Sequence, residues 1–215
     1  LNPRTGGIEV RIYDNNHQEK SVTSFGPSST LQAVEIRSMI EVKSDVILFI
    51  SSENDGIPTL TRFIVDGNTG KLKGESVLAT SNKRGKMITI GGSFVVKQAE
   101  LDESYVVAID HALEADKDKR VEILQYDDNH TQVKKTYLVT GDNGDYKFFV
   151  YMDMIVIKAD MVKVFLYNGK EKYFYNSKKG RMVMASLDLK ETAPVYSTFS
   201  NLENIKFYFV EPYYN

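Results

Sequence analysis

Residues 121–139, VEILQYDDNHTQVKKTYLV, constrain this chain more than any other stretch, because residues 8–24, IEVRIYDNNHQEKSVTS, nearly repeat them. Each copy has an alternating strand, a polar turn and a second, wetter strand. The turn YDDNH ending at His130 matches YDNNH ending at His17. Two looser copies follow the same plan, RFIVDGNTGKLKGESVL from Arg62 and KVFLYNGKEKYFYNS from Lys163. Self-similarity over tens of residues marks a stacked or radial arrangement of small units, each too small to bury its apolar face alone.

Laid in register, the units show falling hydrophobicity. VILFI, YVVAI and MIVI lead; RFIV, VEILQY and KVFLY follow; KLKGESVL, TQVKKTYL and KEKYFYN come last. Continuous apolar runs suit strands covered on both faces, and alternating ones suit half-buried strands. A further strand precedes each trio, within residues 34–42, 86–96 and 146–151, so the repeating unit has about four strands. In that scheme residues 146–152 and 154–157 are two strands, SSENDGIP at 51–58 is a loop, 182–187 is a strand, 188–204 is a long connection and 205–210 a final strand. Residues 111–120, HALEADKDKR, leave room for a turn or two of helix.

This order resembles a β-propeller, in which four-stranded antiparallel blades surround an axis. The likeness is architectural: there is no Trp for a Trp-Asp or sialidase-type box, and Gly91-Gly92 is an isolated pair. The expected fold is all-β, a propeller-like array of about four four-stranded antiparallel blades in a single domain over residues 1–215, or a portion of a longer propeller. The N-terminal strands at 8–13 and 21–25 would share the fourth blade with 182–187 and 205–210. A two-sheet β-sandwich is the alternative, since short strands with regular turns suit it too.

Composition narrows the function classes. With 27 basic and 29 acidic residues, net charge −2, there is no global field for nucleic acid, and none is expected as partner. Cysteine is absent, which removes disulfides, a thiol nucleophile and thiolate zinc ligands. No apolar run is long enough for a membrane-spanning helix. With Leu1 in place of Met, a processed or excised chain is the expectation.

The paired turns carry ligand-type residues, Asp14, Asn15, Asn16 and His17 and then Asp127, Asp128, Asn129 and His130. Asp and Asn close turns through their own backbone hydrogen bonds and tolerate left-handed dihedrals, so no metal and no cofactor is assigned. DGNTG and GDNGD lack the later Glu of a calcium loop. Asn129-His130-Thr131 forms a glycosylation triplet. No GxSxG, P-loop or GxGxxG is present, and no catalytic residue is assigned.

In propellers the loops after the second and fourth strands share one face. The resemblance therefore gathers Glu53, Asp55, Asp110, His111 and Asp160 there as acid/base candidates, with the basic residues Lys83, Arg84, Lys86, Lys178, Lys179 and Arg181 beside them. Tyr173, Phe174 and Tyr175 on the outer strand, with Tyr208, Phe209, Tyr213 and Tyr214, supply aromatics favoured at interfaces.

The expected function is a non-enzymatic protein-binding scaffold, with Lys83, Arg84, Lys178, Lys179, Tyr173, Phe174 and Tyr175 as binding residues. One alternative is a glycan-acting hydrolase using carboxylates of the Glu53/Asp55 and Asp110 loops. Others are a propeller binding an anionic ligand through the basic loops, and a purely structural blade set inside a larger assembly.

Overall fold

The structure is a computed structural model that describes residues 7–26, 32–54, 56–81, 94–111, 114–139, 148–169 and 180–199. These residues form fourteen strands and one short 3-10 turn, Lys117–Lys119. The chain is all-β, as the alternation and the Val, Ile, Tyr and Phe content predict.

Strands β1 (Ile8–Tyr13) and β2 (Glu19–Phe25) make a two-stranded hairpin. Strands β3 (Gln32–Val42), β4 (Asp45–Asn54), β5 (Ile57–Asp66) and β6 (Leu72–Thr80) form the first four-stranded sheet. Strands β7 (Phe94–Gln98), β8 (Tyr105–Asp110), β9 (Val121–Tyr126) and β10 (Gln132–Leu138) form the middle sheet. The last sheet contains β11 (Phe148–Lys158), β12 (Met161–Gly169), β13 (Gly180–Leu187) and β14 (Val195–Phe199). Every neighbouring pair is antiparallel and consecutive in sequence.

The sheets cover one another face to face, and strand periodicity explains how. On β8, Tyr105, Val107 and Ile109 join Ile47, Phe49 and Leu60 of the first sheet in one core. The intervening Val106 and Ala108 join Met154, Val164 and Leu166 of the last sheet in another. A strand covered on both faces needs apolar residues at every position, hence YVVAI. VILFI obeys the same rule: Ile47 and Phe49 face the middle sheet, while Leu48 and Ile50 join Ile8, Phe63 and Val65 under the hairpin. The fourth strands β6 and β10 keep exposed and covered positions in alternation, which is why they are polar.

Four expectations are corrected. Residues 146–152 and 154–157 are not two strands: from Phe148 to Lys158 the chain is one strand, with register shifts at Tyr151/Asp153 and Val156/Lys158. Bulges absorb the residue that breaks the alternation. The strand count of the third unit therefore moves by one, and residues 182–187 lie in β13, between β12 and β14, rather than beside the N-terminal hairpin. The supposed connection at 188–204 holds β14. Residues 51–54 continue β4 and residues 57–58 begin β5, so most of the expected SSENDGIP loop is strand. Residues 205–210 and the outer strand expected at 170–176 lie outside the described residues.

Candidate functional site

The hairpin covers only part of the first sheet. Phe25 packs on Phe63 with ring centroids 5.9 Å apart, so β4 and β5 are shielded. Toward β3 the cover ends. Between β1 and the first sheet lies a cleft of about 260 Å³ lined by Ile8, Val10, Ile12, Ile36, Met39 and Leu48 among others. Met39 pairs across from Leu48 and Ile36 from Ile50, so both project from the face that carries the buried Leu48 and Ile50. Yet Ile36 is 46 % and Met39 67 % exposed. Adjacent aliphatic side chains left in water on a sheet face are the usual mark of a missing partner.

One edge of β1 has no neighbouring strand among the described residues. Among the described residues it pairs with β2 alone, and the cleft is lined from β1 and the first sheet with no residue of β2. The row of β1 amides and carbonyls without a partner strand among the described residues thus borders the apolar floor. The charged members of the lining are Glu9 and Asp66, both acidic. Asp66 accepts hydrogen bonds from Thr69 N at 2.8 Å and Thr69 Oγ1 at 2.9 Å, which hold its carboxyl below the usual range.

Two polar clusters lie elsewhere. Between the first and middle sheets, Arg62 Nη1 donates to Tyr105 Oη and, at 2.9 Å, to the His130 carbonyl. Its guanidinium stands 5.2 Å from the centroid of Tyr126, which stacks on Tyr105 at 5.0 Å. His130 Nε2 approaches Asp45 Oδ2 at 3.6 Å, and Lys73 donates to both Asp45 oxygens at 2.8 and 2.9 Å. Burial pushes the Tyr105 phenol up to about 12, so it stays protonated. Burial, aided by Arg62, lowers His130. This cluster ties two sheets together.

The second cluster holds two of the acid/base candidates. His111 Nε2 lies 2.9 Å from Glu122 Oε2, while Lys135 Nζ pairs with Glu122 Oε1. Burial opposes ionisation of Glu122, but hydrogen bonds from His111 and Lys135 together hold its carboxyl below the usual value. Asp110 has no such help: burial raises it to about 6 against the weaker pull of His111 and Arg120.

No protein family, no curated protein and no solved structure matches the chain.

The expected gathering of carboxylates on one face fails for Asp160. Because β11 is a single strand, Asp160 sits in the β11–β12 turn. The backbone N of Ala159 in that turn donates to Asp102 Oδ2 at 3.4 Å, at the β7–β8 end of the middle sheet and opposite Asp110 and His111. Glu53 is within β4, paired with Pro58 and Gln32. Asp55, Lys83, Arg84, Lys86, Lys178, Lys179, Tyr173, Phe174 and Tyr175 fall outside the described residues, as do Tyr208, Phe209, Tyr213 and Tyr214. Among the described residues no group of three or more acidic, His or Cys side chains is placed to hold a metal ion, and no helix is long and apolar enough to cross a membrane.

Sequence reasoning missed the cleft. Ile36 and Met39 sit in an alternating strand whose apolar residues are ordinarily core. Only the reach of the hairpin, two strands wide among the described residues, reveals that they are exposed.

Proposed function

We propose that this chain is a protein-binding scaffold, its sheets set radially in a propeller-like manner, and that a partner docks on the first-sheet face left bare beside β1. The cleft carries this reading: an apolar floor with Ile36 and Met39 exposed next to a strand edge that has no neighbour among the described residues. An edge and an apolar face together supply main-chain hydrogen bonds for affinity and pockets for side chains, the two elements of strand addition.

The hydrolase alternative, expected to use the Glu53/Asp55 and Asp110 loops, would have to take Glu122 instead as the partner of Asp110, two carboxyls whose pKa values are pushed apart as an acid and a base require. Both oxygens of Glu122 are taken by His111 and Lys135, and β8 and β9 are buried on both faces. That favours binding over hydrolysis.

The test is amide exchange on the chain purified with its natural partner and then freed from it. Binding at this face slows β1 and β3 amides by about tenfold or more, with β12 unchanged. Slowing confined to other strands, or a chain that is recovered without any partner, overturns the proposal.

A further inference from the structure

The turn that joins β9 to β10 in the middle sheet is clamped on the first sheet by cations. Lys43, in the β3–β4 turn, pairs with Asp128 at 2.9 Å and donates to Asn129 Oδ1 at 2.9 Å, while its backbone N donates to Glu103 Oε2 in the β7–β8 turn. Arg62 of β5 donates to the His130 carbonyl at 2.9 Å. Lys43 and His130 both hold left-handed backbones, φ 55° and 62°. Residues other than glycine keep such a conformation where surrounding contacts hold them in it, so both ends of this clamp are under strain.

His130 puts an imidazole into the same contact. Its Nε2 lies 3.6 Å from Asp45 Oδ2, but Lys73 of β6 already donates to both Asp45 oxygens, at 2.8 and 2.9 Å. Its Nδ1 is buried and has no hydrogen-bond partner among the described residues. The ring centroid is 6.1 Å from that of Tyr105, whose phenol stays protonated and stacks on Tyr126. A neutral imidazole suits these surroundings.

An imidazolium does not. Protonation places an N–H at both ring nitrogens, leaving a buried donor at Nδ1 without an acceptor, and adds a cation to Arg62 and Lys73. The nearby carboxylates are committed elsewhere: Asp127 Oδ1 accepts from the Asn129 and Thr131 amides, Asp128 pairs with Lys43, and Asp66 is held by Thr69. Burial and then Arg62 accordingly lower His130, against the weaker opposite pull of Asp45. A histidine depressed on folding contributes its full stability above its unfolded value of about 6.5 and loses it as pH falls through the folded one.

We infer that the β9–β10 turn is an acid-sensitive latch between the first and middle sheets: neutral His130 lets the turn close on Arg62 and Lys43, and protonated His130 releases it.

The test follows amide exchange of the full chain from about pH 7.5 down to about pH 4.5, corrected for the intrinsic dependence of exchange on pH, beside an NMR titration of the His130 imidazole. Release speeds exchange in the β3–β4 and β9–β10 turns severalfold at the acid end, in step with the imidazole titration, and leaves β12 unchanged. His130→Gln, neutral throughout, abolishes the acceleration. His17→Gln, in the matching but exposed turn, keeps it. Asp110 titrates in the same range, at about 6, but is common to every variant.

An imidazole midpoint at or above about 6.5 overturns the inference, because protonation would then strengthen the contact with Asp45. Acceleration that survives in His130→Gln overturns it too, as does exchange in the two turns that stays flat while the imidazole titrates. If His130→Gln does not fold, the unsubstituted chain decides: acceleration centred on the imidazole midpoint supports the latch, and acceleration centred elsewhere, or none, overturns it.

Discussion

His17 and His130 occupy the same position of equivalent turns, each with a left-handed backbone, φ 59° and 62°. In one turn Asp14 Oδ1 accepts hydrogen bonds from Asn16 N and Gln18 N; in the other Asp127 Oδ1 accepts from Asn129 N and Thr131 N. The turns match and their surroundings do not. His17 is exposed, whereas the His130 ring lies 6.1 Å from Tyr105 and is 13 % exposed at the first-to-middle sheet interface.

Glycine adopts that backbone without a Cβ penalty, which is about 1 kcal/mol for other residues. His17→Gly gains from this relief and stabilises the chain by about 0.5 kcal/mol once the looser unfolded state is counted. His130→Gly receives the same relief but loses the imidazole packed at the interface, and destabilises by about 1–2 kcal/mol. Urea midpoints of the two variants should move in opposite directions.

Arg62 joins β5 to the middle sheet through Tyr105 Oη and the His130 carbonyl. Arg62→Ala leaves that part-buried carbonyl without the Arg62 donor and should cost about 1–2 kcal/mol. Arg62→Lys does not restore the loss, since an ammonium cannot place donors on both acceptors while spreading over the Tyr126 ring. In a double-mutant cycle with Tyr105→Phe the coupling should be about 1 kcal/mol. Additive losses would show that the two side chains act independently.

Asp110 gives stability a pH dependence with a definite sign. Its folded value of about 6 lies above the unfolded one near 4, so the folded chain binds the proton more tightly. The benefit is complete below about pH 4 and is lost as pH rises through about 6. Asp110→Asn removes the cost of burying the charge and should stabilise the chain by about 2 kcal/mol at pH 7, with the difference vanishing below about pH 4. Denaturant titrations of both proteins at pH 3.5 and pH 7 measure it directly.

The strands were legible wherever local pattern and tertiary cover agree. YVVAI and VILFI announce their two-sided burial, and VEILQY with its turn identifies the hairpin copy at the N-terminus. The third unit misled because Met152 and Asp153 interrupt a strand that bulges and continues. A break in alternation looks the same whether the chain turns or bulges, and the neighbouring strand decides between them. Asp160 moved to the opposite end for that reason alone. Asp110 and His111 were found together because they are adjacent in sequence, whereas Glu122 and Lys135, which complete their cluster, come from two other strands.

By itself the sequence determined the all-β class, the positions of most strands and the two matching turns, because period-two alternation and Asp/Asn turn chemistry act over a few residues. Only the tertiary structure decided which faces are covered. Met39 and Leu48 are both apolar residues of adjacent strands, yet Leu48 is buried and Met39 is 67 % exposed. The difference lies in how far the hairpin reaches across the sheet, a long-range packing outcome that no local pattern encodes.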